Sequence, residues 1–189
     1  MIHEVIITTR NIDNKVHIAP MGIKFFSENS DKFAQISPFK PSQTLDNILE
    51  TKIATINFID DVKVFSGIVT GKKRDWALKE SKDTHVPHLE NTNTHMNVIV
   101  FNEIDDPVRP KIKCKVIYEE VHRPFLGFNR AQFSVIELAV LSTRLGIIDD
   151  KKVKEELKYL KIGIEKTAGN NEKEAWDWIE NKINKYFKK

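Results

Sequence analysis

Cysteine is nearly absent from the 189-residue sequence, which contains only Cys114. A single cysteine excludes an internal disulfide framework and any metal site built from several thiolates. The sequence also has no apolar run long enough to cross a bilayer. Its start, MIHEVIITTRN, lacks the basic-then-apolar order of a secretory signal. Together these absences predict a globular protein of the cytoplasm with no membrane partner.

Several catalytic and nucleotide-binding motifs are missing as well. There is no Gly-x-Gly-x-x-Gly and no Walker loop, which argues against a Rossmann or P-loop mode, and there is no Gly-x-Ser-x-Gly elbow. Cys114 lies in the middle of KIKCKVIY on its apolar face, where a thiol behaves as a small hydrophobic group. The sequence therefore predicts no catalytic residue.

Charge of one sign is in slight excess, with 30 basic and 27 acidic residues and a net charge of +3. This excess argues only weakly for a polyanionic partner. An RNA-binding barrel stacks bases on exposed aromatic side chains along a basic groove. Phe25, Phe33 and Phe58 lie instead in apolar patterns typical of a core. No nucleic-acid partner is predicted.

A polar segment of unusual length, residues 71–95, contains His85, His88 and His95. Segments this long are lids, binding loops or disorder, and the sequence leaves all three open. A zinc site needs ligands held on rigid elements with supporting outer-shell contacts. Histidines in a loop rarely have that support, so no metal site is predicted.

The period of the apolar residues divides the chain in two. Residues 1 to about 121 are predicted to be mainly strands around one early helix, SQTLDNILETK, which favours a closed or partly closed antiparallel barrel. Three helices are predicted after Gly127, the first ending at Gly146 and the last beginning at Asn171 with Glu174 as its capping partner. The predicted domains are a barrel, residues 1–124, and a helical subdomain, residues 125–189.

The residues at the start of the early helix have two interpretations, a helix cap or an anion-binding site. Helix beginnings gather unpaired N–H groups and positive dipole, so Ser42 and Thr44, beside Lys40, can cap the helix or hold a phosphate. Residue chemistry alone favours a Ser42 cap. Upstream, the segment APMG combines a proline without an N–H and a glycine that leaves room for a flat ligand. Its last three residues are Pro20, Met21 and Gly22.

The order HIAPMGI, PSQTLDNI, IATINFIDD and HRPFLGFNRAQFSVIELAVLSTRLG resembles an uncharacterised, mainly archaeal family with the FMN-binding split-barrel fold. The superfamily also contains flavin reductases and pyridoxamine-phosphate oxidases. The resemblance spans nearly the whole chain, and GFNRA to STRLG is its most specific part. It implies a mainly β fold with α, namely a split β-barrel followed by a C-terminal helical subdomain. It also implies a homodimer with the flavin in the groove between subunits.

The resemblance implies a cofactor site as well. Related flavin reductases bind the FMN phosphate with a Ser-x-Thr at a helix start, which corresponds here to Ser42 and Thr44, with charge support from Lys40. The isoalloxazine ring would lie by Pro20, Met21 and Gly22. Asn47, one turn further into the helix, joins the set. Arg130 is either a second phosphate or partner-subunit contact or a member of a buried ion pair with Glu137 or another carboxylate. His17, before APMG, stands where a smaller polar residue is expected, so its role stays open.

The function that the resemblance implies is a flavin reductase-like, FMN-dependent oxidoreductase. NADH, NADPH or another donor would supply its electrons. The alternative is a non-catalytic module that holds FMN or another phosphorylated ligand.

Overall fold

The computed structural model describes residues 1–188 of the chain, which form two compact units. The barrel unit comprises Met1–Ile59 and Trp76–Pro124, and the helical unit comprises Asp60–Asp75 and the chain from Phe125 onward. The domain boundary predicted at residues 124 and 125 stays a prediction. Residues 60–75, which that prediction assigned to the barrel, pack in the helical unit.

Six antiparallel strands close the barrel, in the spatial order β1, β2, β3, β8, β7, β4. Helix α1, Gln43–Thr51, follows β3. Two short antiparallel strands of two residues each, β5, Leu78–Lys79, and β6, His88–Leu89, precede β7. The predicted barrel is therefore confirmed. The strands are β1, His3–Arg10; β2, Val16–Glu28; β3, Asp31–Ile36; β4, Ile53–Phe58; β7, Thr94–Ile104; and β8, Lys111–Val121.

The barrel core contains alternate residues of the strands together with the apolar face of α1. Because side chains of a strand alternate between faces, Ile112 and Cys114 of β8 are buried while Lys113 between them is not. Burial raises the pKa of Cys114 to about 12, so its thiol stays protonated and is no nucleophile. Phe25 and Phe58 pack against this core with ring centroids 5.8 Å apart, as the sequence predicted.

Four helices build the helical unit: α2, Val62–Thr70; α3, Arg130–Ser142; α4, Asp150–Thr167; and α5, Asn170–Phe187. Their apolar faces share one core. The hydroxyl of Ser66 in α2 donates to the carbonyl of Ala175 in α5 at 2.6 Å, which joins the two helices through a buried hydrogen bond. Across residues 1–188, no helix has the length and apolar content needed to cross a membrane.

Three details of the helices differ from the sequence predictions. Helix α2 was not predicted. Helix α3 ends at Ser142 rather than at Gly146, which adopts a positive φ of 82° in the turn that follows. Helix α5 begins at Asn170, and the carboxylate of Glu172 accepts from the N–H of Gly169 at 2.9 Å. The predicted Asn171 and Glu174 capping pair is therefore wrong by two residues. The N-cap is Gly169, and the carboxylate that accepts from its N–H belongs to Glu172.

Candidate functional site

Within residues 1–188, residues 18–22 of β2 have one edge that pairs with no other strand. Residues 16–22 pair with β1, from Val16 opposite Arg10 to Gly22 opposite Glu4, whereas β3 pairs with β2 only from Ile23 onward. Along a strand, N–H and C=O groups alternate between the two edges, so this open edge presents backbone donors and acceptors. We name residues 18–22 the β2 edge. It can hydrogen-bond the polar rim of a flat ligand.

The predicted ring-binding residues lie on the β2 edge. Pro20 is opposite Ile6, and Met21 packs against the barrel core. Space above Gly22 was expected to be open, but a Cβ built there would lie 2.9 Å from Cγ2 of Ile2. Ile2 itself is exposed, so this part of the N-terminal segment covers Gly22 with a side chain that solvent also reaches.

The start of α1 is capped and still offers groups to an anion. Ser42 is the N-cap, and its Oγ accepts from the N–H of Leu45 at 3.1 Å, so the cap interpretation is confirmed. The hydroxyl hydrogen of Ser42 remains available to donate. The first intrahelical bond runs from Asp46 N–H to Ser42 O, so the amides of Gln43 and Thr44 have no intrahelical acceptor. Two amides and one hydroxyl therefore form a candidate anion site.

Thr44 and Asn47 are placed differently from this half-buried cap. Thr44 exposes 2% of its surface and Asn47 exposes 1%. The Asn47 amide donates to Oγ1 of Thr9 at 3.0 Å, and its Oδ1 accepts from Gln43 at 2.7 Å. The first bond joins α1 to β1, and the second lies within α1. Contacts of the two side chains with a phosphate stay predictions, and they would require local opening.

The two predicted cationic residues lie in different units. Lys40 forms an ion pair with Asp105 and, by its hydrogen bond, holds the pKa of that exposed carboxyl below its usual range. Lys40 would exchange this partner for a phosphate. Arg130 begins α3 of the helical unit, and its side chain is exposed, as is that of Glu137. The alternative of a buried ion pair between them is therefore wrong.

From Trp76 onward, the long polar segment lies against the outer face of the barrel. Thr55 of β4 donates to the carbonyl of Val86 at 2.9 Å, and the N–H of Leu89 donates to Oδ1 of Asn57 at 2.7 Å. His88 lies in β6 and His95 in β7, and both are buried. The premise that these histidines lack rigid support is wrong.

A third histidine, His122, joins them directly after β8, and we name His88, His95 and His122 the histidine cluster. Nδ1 of His95 lies 2.8 Å from Nε2 of His122, their ring planes differ by 8° and their centroids are 5.0 Å apart. A short N–N distance between nearly parallel rings with distant centroids means that these rings meet edge to edge. The His88 ring stacks on both, with centroids 4.2 Å and 4.7 Å away. His122 is 27 residues from His95, so local spacing gave no signal of this contact.

Burial and neighbouring rings favour the neutral forms of His95 and His122. Burial lowers the pKa of His95 to about 4, and the adjacent His88 and His122 act in the same direction. Desolvation also lowers the pKa of His122. Glu120, opposite His95 in the sheet, accepts from the Tyr118 hydroxyl at 2.9 Å, and this bond lowers the pKa of its carboxyl. A carboxylate therefore lies beside uncharged imidazoles at neutral pH.

Two family models match the chain. Residues 3–123 match a family described as "Protein of unknown function (DUF447) N-terminal domain", and residues 129–181 match "Protein of unknown function (DUF447)". The chain belongs to the DUF447 family. A search of curated proteins gave no match.

Solved structures similar to this DUF447 chain have the split-barrel fold. An FMN-bound protein of Methanosarcina mazei from the same family has a TM-score of 0.78 at 20% identity, covering 96% of this chain and 94% of that one. The flavin reductase of styrene monooxygenase from Pseudomonas putida S12 has a TM-score of 0.54 at 12% identity, with 64% and 81% covered. A flavoredoxin of Methanosarcina acetivorans has a TM-score of 0.53 at 15% identity, with 67% and 72% covered. The predicted fold and family resemblance are confirmed for this DUF447 protein.

Proposed function

We propose that this protein binds FMN and is a flavin reductase-like oxidoreductase of the cytoplasm. The observation that carries the proposal is the presence, in one unit, of the open β2 edge and the capped start of α1. Met21 of the edge packs against the same core as Leu45 and Ile48 of α1, so both elements are fixed to one scaffold. FMN has a planar ring, which the β2 edge can hydrogen-bond, and an anionic phosphate, which the start of α1 can bind. The FMN-bound and flavin reductase relatives support the same ligand.

Each group of the site has a defined task in this proposal. The amides of Gln43 and Thr44 and the hydroxyl of Ser42 bind the phosphate, because a helix start carries unpaired N–H groups and positive dipole. Lys40 adds charge. The β2 edge hydrogen-bonds the polar rim of the ring, and buried Asn47 positions α1 through its bond to Thr9. Bound FMN would supply hydride and electron transfer, with NADH, NADPH or another donor as the electron source.

A homodimer is part of the proposal. Large apolar side chains point outward from β7 and β8 of the barrel unit, and exposed apolar surface of this kind is typical of a protein interface. A second copy of the chain would cover it and create a groove for the flavin. Sedimentation equilibrium of the purified protein tests this, and a strictly monomeric species would contradict it. The outward side chains are Ile99, Phe101, Ile117 and Val121.

A non-catalytic FMN module is the second candidate. The groups assigned to the ligand are backbone amides, one hydroxyl and one lysine, which bind an anion and include no histidine or carboxylate for general acid–base catalysis. A carrier or sensor needs no more than this. The same module would hold another phosphorylated ligand equally well.

Spectroscopy of the full-length protein separates these functions. We expect protein mixed with FMN and passed through a desalting column to remain yellow, and NADH or NADPH to bleach it in the absence of air. A protein that stays yellow but is not reduced by either donor supports the non-catalytic module. A colourless protein that does not retain FMN contradicts both.

Replacing Ser42 by aspartate tests the phosphate contact separately from the cap. The introduced carboxylate would still accept from Leu45 N–H and would suit the helix dipole, so stability should be unchanged or higher. It would also repel the phosphate and remove the donated hydrogen bond. Since a hydrogen bond to a charged group contributes about 1.5–3 kcal/mol, FMN affinity should fall by about 10–100-fold.

Riboflavin, which lacks the phosphate, is the control ligand for Ser42→Asp. Its affinity should be the same for the variant and the native protein, as measured by quenching of flavin fluorescence. Equal FMN affinity in both proteins would show that the phosphate lies elsewhere.

A further inference from the structure

We propose that the histidine cluster binds a divalent transition-metal ion of the Zn²⁺ class. One ligand nitrogen from each of His88, His95 and His122 lies within 4.8 Å of the other two, and this is the only such group of histidine, cysteine or carboxylate side chains found in residues 1–188. Three imidazoles with a fourth position left for water is a recurring arrangement of zinc in proteins. The inference does not depend on flavin binding.

The contact between His95 and His122 defines where the ion would bind. Their nitrogens face each other at 2.8 Å, so one of them carries the proton that the other accepts. An ion between them would take the place of that proton, which moves to the other nitrogen of the same ring. Zn–N bonds of about 2.0–2.1 Å in tetrahedral geometry require the two nitrogens to separate to about 3.3 Å. His122 is exposed and can make this adjustment. The ring of His88, which is stacked on the other two, would have to turn so that its in-plane lone pair points at the ion.

His88 already has the tautomer that a ligand needs. Its Nδ1 lies 2.9 Å from the carbonyl oxygen of Leu89. A carbonyl only accepts, so Nδ1 carries the hydrogen and the lone pair is on Nε2. Metal-binding histidines usually donate their second ring N–H to a carbonyl or carboxylate in this way, which fixes the ring and raises its basicity.

The second ring nitrogen of His95, Nε2, is a separate feature of the cluster. The residue has no exposed surface, and its Nε2 has no hydrogen-bond partner among the described residues. Buried polar atoms without partners are rare in folded proteins, and a buried water is a usual explanation. With an ion at Nδ1, the Nε2 atom carries the hydrogen and would donate it to such a water.

The three ligands are held by different elements that are tied together. The β6 segment carrying His88 is joined to β4 by the bond from Leu89 to Asn57, His95 lies in β7 between β4 and β8, and the N–H of His122 donates to the carbonyl of Asn93 at 2.8 Å. Glu120 adds negative charge nearby, part of which the ion pair with Lys82 offsets. The exposed side at His122 lets the ion and its water reach the site.

Titration with Zn²⁺ and Co²⁺ tests the proposal on the full-length protein, prepared without a histidine tag and stripped with chelator. We expect Zn²⁺ to bind with one-to-one stoichiometry by calorimetry, and Co²⁺ to produce visible d–d absorption bands that Zn²⁺ removes. His122→Ala is the first variant because its side chain is exposed. Loss of an outer-shell partner alone weakens metal binding by about 10–100-fold, so loss of a ligand should weaken it by about 100-fold or more.

His85→Ala is the matched control, because His85 is an exposed histidine of the same segment outside the cluster. It should bind Zn²⁺ as the native protein does. His88→Gln, checked for folding by circular dichroism, should lose affinity as His122→Ala does. Equal Zn²⁺ affinity in native protein and His122→Ala would overturn the proposal, as would native protein without Co²⁺ bands or one-to-one binding. An effect of His122→Ala on FMN affinity alone would also overturn it and would place the cluster in the flavin site.

Discussion

Replacing Trp176 by alanine should lower the free energy of unfolding by about 3–5 kcal/mol, the usual cost of truncating a buried aromatic side chain. Trp176 exposes 2% of its surface and packs in the core of the helical unit with residues from all four of its helices. Its removal takes away apolar burial and leaves a cavity that a close-packed core cannot fully close. Urea unfolding followed by far-UV circular dichroism measures the change.

Trp178→Ala is the matched control for Trp176→Ala. Trp178 is on the same helix, is only half-buried and has the ammonium of Lys63 over its ring at 5.7 Å from the centroid. Its truncation should cost about 1 kcal/mol, within the range of typical single substitutions. Trp176→Phe should also be mild, because it removes an indole N–H that has no partner among residues 1–188 while keeping a ring. Equal losses for the two alanine variants would contradict the assigned core.

Replacing Asn57 by leucine should lower the free energy of unfolding by about 2–6 kcal/mol, since it leaves two buried polar groups unpaired at about 1–3 kcal/mol each. Asn57 has no exposed surface, donates to Thr8 Oγ1 at 2.8 Å and accepts from the buried Leu89 N–H at 2.7 Å. Leucine has the same branching at Cγ but bulkier methyl groups, and it makes neither bond. Urea unfolding gives the total, and amide hydrogen exchange at Leu89 should become much faster, because this bond holds the β6 segment on the barrel.

The control for Asn57→Leu is Asn102→Leu, the same substitution at an exposed position of β7. Surface changes away from special features usually alter stability by less than about 0.5 kcal/mol. If Asn57→Leu left exchange at Leu89 unchanged, the segment would be held by other contacts, and the role assigned to Asn57 would be wrong.

Local pattern was enough to predict much of the barrel. The alternation of lysines with Ile112 and Cys114 predicted the two faces of β8, and the position of Ser42 before an amphipathic segment predicted the start of α1. Both signals are local, because the period of side chains along a strand and the preference for a hydroxyl at a cap act over a few residues.

Helix α2 shows where local pattern fails. Its sequence, VKVFSGIVT, is rich in β-branched residues, which favour strands. The signals for a helix were Asp61, whose carboxylate accepts from Lys63 N–H at 3.0 Å, and Gly71 with a positive φ at the end. Tertiary packing decides the outcome, since Val62 is buried in a core formed by residues beyond position 130. No short window contains that information.

The candidate sites also contain some features that local sequence predicts and others that tertiary packing decides. The cap at Ser42 was predictable, whereas the burial of Thr44 and Asn47 depends on how α1 packs against β1. The histidine cluster depends on β-sheet pairing, which brings the ends of β7 and β8 together across 27 residues. Because one of its members follows the last strand, a scan of the polar segment alone could not find the cluster.

The packing of α2 bears on how this protein can be divided by genetic engineering. The chain leaves the barrel after Ile59, contributes one helix to the other unit and returns at Trp76. A fragment cut at the apparent boundary near residue 124 would retain α2 and expose the apolar face that α3 and α5 normally cover. This fragment should aggregate, and the complementary C-terminal piece should lack a quarter of its helices. Independent expression of the barrel would require replacing residues 60–75 with a short polar linker.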